Sequence, residues 1–185
     1  MKRLKLYFIA DPKVNDDPDG ALAIEAKIIK DHIVIKDIND LIHRVIQNCV
    51  KRKGLVGAMV IASHGNSYTF DIGSNTVGIG DLRLPTLSVL RPWFAPDAYL
   101  IINACECGNS QELLRQVAKI LGVTVVAYTG MVDVYKWLFY EGIVPRGNTV
   151  VCTASGCREI NHWEEARKKM LSGPGDDMPG FARDG

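Results

Sequence analysis

The stretch GAMVIASHG, residues 57–65, decides how this chain is read. Ala58, Met59, Val60, Ile61 and Ala62 run without a polar break into Ser63-His64-Gly65. A strand with one wet face alternates apolar and polar residues. An unbroken apolar run marks a strand covered on both faces, as in the parallel sheet of an α/β domain. An imidazole and a glycine directly after such a strand are either a turn or the beginning of a site.

A second stretch, LIINACECGNS (residues 100–110), repeats the pattern. Here the strand 98–104 ends on Ala104-Cys105, and Gly108 and a helix cap at Asn109 or Ser110 follow. Working outward, the apolar runs at 4–10, 32–36, 123–129 and 148–154 read as further strands. Helix-period segments lie between them. Residues 21–30 suit a short helix or an extended connector. From 38 to 53, Ile38, Leu41, Ile42, Val45, Ile46 and Cys49 recur at helical spacing, with Asp37 or Asn39 as cap and Gly54 as stop. Residues 84–95, 109–122, 133–142 and 161–171 complete the helical set, and 68–80 reads as a hairpin turning near Gly73-Ser74-Asn75. Strands alternating with helices imply crossover units and a mainly parallel sheet with helices on both faces. Strand C-termini then share one edge, where ligands bind. If strands 57–63 and 98–104 are neighbours, His64 and Cys105 emerge side by side.

The chain has 185 residues, enough for one domain, assigned to 1–171, followed by a Gly-, Pro- and Asp-rich tail over 172–185 that reads as irregular. A net charge of +1 argues against nucleic acid or an anionic membrane as partner. No apolar run reaches the roughly 18 residues of a membrane span or the shape of a secretory signal. With five cysteines (Cys49, Cys105, Cys107, Cys152 and Cys157), reduced thiols in a cytoplasm are expected rather than a disulfide framework.

Cys105 and His64 suggest nucleophilic chemistry. A thiolate before a helix N-terminus is favoured by backbone amides, and a nearby imidazole can move a proton during acyl transfer. Gly65 lets its amide approach a substrate carbonyl, and with the Cys105 amide can form an oxyanion hole. The plainer alternatives are a turn for His64-Gly65 and a small buried hydrophobe for Cys105. Cys107 is read first as a bystander. A C-x-C redox pair, or zinc held by Cys105, Cys107 and His64, is the weaker alternative, because the spacing departs from C-x₂₋₄-C. Cys152 and Cys157 leave a second cysteine-based metal or redox site open. There is no Walker loop, dinucleotide fingerprint or G-x-S-x-G elbow.

A strand ending in His64-Gly65, followed by a strand ending in Ala104-Cys105, resembles the caspase-like (clan CD) cysteine peptidases. It is most similar to bacterial caspase-like and CHAT-type domains. The box stands as Asn103-Ala104-Cys105-Glu106-Cys107-Gly108, one residue longer before its glycine than the caspase Gln-Ala-Cys-x-Gly block. The resemblance covers roughly residues 4–130. It implies a three-layer caspase-like sandwich with a small hairpin after the histidine strand, and a cysteine endopeptidase with a Cys-His dyad. Cys105 would be the nucleophile, His64 the general acid/base, and the amides of Gly65 and Cys105 the oxyanion donors. It implies no cofactor and no metal, a protein or peptide as substrate, and a partner protein or regulatory domain as a further contact. The same fold also serves as a non-catalytic interaction module. For the residue before the scissile bond (P1), Asp133 can present a carboxylate to a basic side chain, although the local pattern favours a helix cap. Arg146 and Arg158 can instead receive an acidic one.

Overall fold

The computed structural model describes residues 1–13, 20–133, 144–145 and 147–160. Its centre is a seven-stranded sheet. In chain order the elements that build and cover it are β1 (Lys2–Ala10), α1 (Ala21–Ile28), β2 (His32–Ile35), α2 (Ile38–Arg52) and β3 (Gly54–Ala62), then the hairpin β4 (Thr69–Ile72) and β5 (Asn75–Gly78). A 3-10 segment (Leu84–Trp93), β6 (Phe94–Asn103), a 3-10 turn (Cys107–Asn109), α3 (Gln111–Leu121) and β7 (Thr124–Tyr128) follow. The described chain closes with the two-residue strands β8 (Val132–Asp133) and β9 (Val144–Pro145), then β10 (Thr149–Thr153) and β11 (Gly156–Ile160). The strand order is β11-β10-β7-β6-β3-β1-β2. The five strands from β7 to β2 are parallel, and β10 and β11 add an antiparallel edge.

The continuous apolar runs are explained by burial on both faces. Along β1, Leu4, Leu6 and Phe8 pack with α2, α3 and the Leu84–Trp93 segment. Tyr7 and Ile9 alternate with them and, with Ala10 at the strand end, pack with Leu22 and Ile29 on the α1 side. The sheet therefore carries helices on both faces, as the alternation of strands and helices requires.

α2 forms where expected. Its cap is Asp37, whose Oδ1 accepts from Asp40 N at 2.8 Å. Ile38, Leu41, Val45 and Cys49 make its buried stripe, each large aliphatic contributing about 1.5–3 kcal/mol of burial. The helix ends one residue earlier than the glycine suggests: Lys53 is the left-handed cap at φ 51°. Gly54 already belongs to β3, and a Cβ there would lie 2.6 Å from the Lys2 carbonyl oxygen. Strand approach, not turn geometry, requires that glycine.

Four further expectations change. Residues 84–93 wind as 3-10 and not as α-helix, and Pro92 inside the segment has no amide hydrogen for an α ladder. β6 begins at Phe94, before the expected 98, and absorbs Pro96 where its register against β3 shifts. Residues 156–160 form an edge strand, β11, that the sequence reading left out. Cys152 and Cys157 face each other across the β10–β11 hairpin and are bonded, S–S 2.01 Å. That corrects the expectation of wholly reduced thiols: a two-residue turn at Ala154-Ser155 puts the two sulfurs opposite one another. Cys49, Cys105 and Cys107 are free. The expected hairpin after the histidine strand is present as β4–β5, turning at Gly73-Ser74. Among the described residues no helix is long and apolar enough to cross a membrane. The expected helix 161–171, the tail 172–185 and Arg146 lie outside the described residues.

Candidate functional site

β3 and β6 are adjacent and parallel, with Ala62 opposite Asn103 on the last shared rung. His64 and Cys105 each stand two residues beyond that rung, so both leave the sheet at the same C-terminal rim. The two strand ends are tied by Ser63 N donating to Asn103 O at 3.1 Å. Within the strands, Ala58, Val60 and Ala62 on β3, and Ile101 on β6, belong to the α1-side core.

The loop after β3 is built tightly. Asn66 Oδ1 accepts from Tyr68 N at 2.8 Å and from Thr69 N at 3.0 Å, and Asn66 N donates to Thr69 O at 2.9 Å. Asp71 N donates to His64 O at 3.0 Å, which anchors the backbone carrying the exposed imidazole to the hairpin. Gly65 lies against the second strand end. A Cβ on it would meet Ala104 Cβ at 2.8 Å, Thr69 O at 3.1 Å and Cys105 O at 3.2 Å. The glycine after the histidine is therefore required by the approach of the Cys105 segment.

Cys105 is half-buried, and its Sγ accepts from Val132 N at 3.5 Å. The helix expected directly after it begins only at Gln111, with the short 3-10 turn between. The α3 dipole therefore falls off before it reaches Cys105, and the Val132 amide is the donor the structure supplies instead. Ser110 occupies the cap position without a side-chain cap bond. Asn109 instead bridges loops, its Nδ2 donating to Thr129 O at 3.1 Å and to Ser67 Oγ at 3.3 Å.

Glu106 sits at φ 56°, one of two non-glycine residues with positive φ among those described. Its amide donates to Gly130 O at 2.9 Å, and its Oε2 accepts from Ser67 Oγ at 3.1 Å. Ser67 and Glu106 thus link the histidine loop to the cysteine loop. Cys107 is fully buried, and burial pushes its thiol up to about 12. It cannot supply a thiolate near neutrality, which leaves Cys105 as the reactive candidate of the pair. No group of three His, Cys, Asp or Glu side chains able to hold a metal occurs among the described residues. Cys105, Cys107 and His64 therefore do not assemble as the zinc alternative needs.

Beneath the rim lies a polar network. Glu25, on α1, is 3 % exposed and accepts from Tyr7 Oη and from Asn103 Nδ2, the latter at 3.2 Å. Burial pushes the Glu25 carboxyl up to about 7 and moves Tyr7 well above the ordinary tyrosine range, with the Glu25 charge adding to the Tyr7 shift. Asn103 Oδ1 is buried and has no hydrogen-bond partner among the described residues. Sequence reading passed over Glu25, Tyr7, Asn103 and Glu106. The one visible signal was Glu25 inside ALAIEAKI, a helix apolar apart from it and Lys27.

Asp133 stands in β8 opposite Val144, next to the Val132 whose amide meets Cys105. Its backbone is that of a strand residue, and the rest of the helix expected over 133–142 lies outside the described residues. Arg158 is exposed on β11, three strands from β6. Its rung runs through Val151 and Val126 to Ile101, four residues before Cys105. At about 4.8 Å per strand and about 3.3 Å per residue, that is roughly 14 Å across and 13 Å along the sheet, too far for a role beside Cys105. No family model matches this chain, and neither a curated protein nor a solved structure shows detectable similarity to it.

Proposed function

We propose that this protein is a cysteine endopeptidase of caspase-like type, acting by acyl transfer through Cys105 and His64. One observation carries the reading: two neighbouring parallel strands, in register at Ala62 and Asn103, end on a histidine and an accessible cysteine at the same rim. The second cysteine of the C-x-C is buried, which singles out one sulfur.

In the proposed reaction the Cys105 thiolate attacks the scissile carbonyl, forming a C–S bond. The oxyanion is held by the backbone amides of Gly65 and Cys105. Collapse breaks the C–N bond as the protonated His64 gives its proton to the leaving amine. Neutral His64 then takes a proton from water, whose hydroxide oxygen attacks the thioester and releases the acid and Cys105. Ser67, Glu106 and Asn109 hold the two loops in fixed relation, which oriented attack needs. The reaction needs Cys105 reduced, while Cys152 and Cys157 are joined in a disulfide.

The test is covalent labelling. A panel of peptidyl acyloxymethyl ketones differing at P1 is reacted with the protein, and the modified residue is mapped by mass spectrometry. Labelling confined to Cys105 and lost in His64→Ala supports the peptidase. Labelling spread over Cys49, Cys105 and Cys107 alike, or no labelling of native protein, overturns it and favours the non-catalytic module.

A further inference from the structure

At the other end of the sheet from His64 and Cys105 lies a notch of about 600 Å³. It exists because β2 is short. β3 pairs with β1 from Lys2 to Ile9, whereas β2 joins β1 only from Tyr7 onward. The outer edge of β1 before Tyr7 has no strand against it among the described residues. Lys5 and Leu6 of that edge form the floor, the Lys30-Asp31-His32 connection forms one wall, and Asn48 and Arg52 on the last turns of α2 form the other.

The described lining of this notch is mostly cationic. The chain as a whole carries 22 Lys and Arg against 21 Asp and Glu. Here Lys30 and Arg52 come from two separate elements, Lys5 adds a third positive side chain with contacts of its own, and Asp31 is the one carboxylate among the described lining residues. None of the ion pairs among the described residues involves Lys30 or Arg52. Like charges gathered around a recess repel one another, and an anion between them reverses the sign of that energy.

Two of the remaining groups are donors, and His32 braces the wall beside them. His32 Nδ1 lies 2.5 Å from Ile29 O, a carbonyl that can only accept. That contact uses Nδ1–H and fixes the ring against the chain, so Nε2 of the neutral ring is an acceptor and is not among the anion donors. Asn48 Nδ2 spends one hydrogen on Arg44 O at 2.9 Å and keeps a second. The Arg52 guanidinium offers the planar fork that matches phosphate oxygens.

We propose that this notch binds a small molecule carrying two or more phosphate groups. The volume exceeds what one phosphate fills and falls in the range of nucleotide-sized ligands, about 300–1,000 Å³. Leu6 and Ile33 in the lining give an apolar surface for the remainder of such a molecule. Lys5 is paired with Ala58, six residues before His64, so the notch is about 20 Å from the rim along the strand. The proposal does not rest on the peptidase reading.

The test is isothermal titration of inorganic pyrophosphate and, separately, of ATP without divalent metal. Both are titrated into the full-length protein, into Lys30→Glu/Arg52→Glu, and into Lys119→Glu as an exposed-charge control on α3. Circular dichroism checks that each variant is folded. Saturable one-to-one binding of either probe is expected, weakened at least tenfold in the double variant, unchanged in the control, and weaker as salt rises. A tighter ATP complex assigns the apolar wall to the nucleoside, and equal affinities assign recognition to the phosphates alone. Absence of saturable binding of both probes, equal affinity in the double variant, or an equal loss in the control overturns the proposal.

Discussion

Ala62 and Asn103 are direct partners across the β3–β6 ladder, and Ser63 N bonds to Asn103 O just beyond them. This rung positions the site. Because His64 and Cys105 sit equal distances past it on parallel neighbours, their backbones are held together by the ladder and need no contact between the loops themselves. The loop contacts among Ser67, Glu106 and Asn109 then restrain what the ladder has already aligned.

The two thiols of the C-x-C should separate cleanly. Cys105 is half-exposed with an amide on its sulfur, whereas Cys107 is fully buried with its thiol pushed up to about 12. Cys105→Ala should abolish labelling by a peptidyl ketone and leave the unfolding midpoint near that of the wild type. Cys107→Ala should keep the labelling and lower stability by roughly 1 kcal/mol through the lost buried sulfur. Mass-spectrometric mapping alongside urea denaturation decides it. The reverse pattern would make Cys107 the nucleophile.

Gly65→Ala tests the approach of the two loops. The added methyl would meet Ala104 Cβ at 2.8 Å, so one backbone has to move. Overpacking of this kind costs about 1–3 kcal/mol, and small displacements at a reacting centre can cost about 10²-fold in rate. A loss of at least tenfold in the Cys105 labelling rate is expected in protein that remains folded. Unchanged labelling kinetics would show that the Gly65 segment is not part of the site.

Much of this arrangement was legible in the sequence because parallel strands buried on both faces are written as unbroken apolar runs. Residues 57–63 and 98–104 needed no tertiary information to be recognised, and residues 38–53 show their stripe in the spacing of Ile38, Leu41, Val45 and Cys49. What escaped either lacks a local signal or depends on contacts distant in sequence. The β10–β11 hairpin is local, but its turn Ala154-Ser155 carries none of the Asn-Gly or Asp-Gly chemistry that marks a hairpin, so the pairing of Cys152 with Cys157 was not legible. Gly54 looked like a helix stop, and only the approach of Lys2 O shows otherwise. Glu25 and Asn103 are 78 positions apart, and nothing local announces that they meet.

The disulfide should stabilise the antiparallel edge. Cys152 and Cys157 close a loop with a sequence separation of five. A loop that short corresponds to about 2 kcal/mol in the chain-entropy description. Thermal melts with and without a phosphine reductant should show a lower midpoint on reduction, and Cys152→Ser/Cys157→Ser should be insensitive to reductant. Cys157 Sγ also reaches Gln111 O at 3.3 Å, at the start of α3, so hydrogen exchange should rise in β10, β11 and the first turn of α3 together. Reduction that left both midpoint and exchange unchanged would show that the ladder alone holds this edge.

Glu25 should give folding a measurable pH dependence. Its carboxyl is raised from 4.5 to about 7, chiefly by burial, while the hydrogen bonds from Tyr7 and Asn103 pull the other way. The neighbours facing it are Tyr7 on β1 and Asn103 on β6, with the Tyr128 phenol beside Tyr7. Below about pH 4.5 both folded and unfolded states hold the proton, and the group is neutral to stability. Between about 4.5 and 7 the folded state binds more protons than the unfolded chain, so stability falls as pH rises. Above 7 both states are ionised and the full cost of the buried carboxylate is present. That cost is at most on the order of 3 kcal/mol. Glu25→Gln keeps an acceptor for Tyr7 and carries no charge. Urea denaturation from pH 4.5 to 8 should therefore show a declining midpoint in the wild type and a flatter one in the variant, with the variant the more stable at pH 8. Parallel curves for the two proteins would mean that Glu25 titrates as an ordinary exposed carboxylate and that the network under the rim is not closed to water.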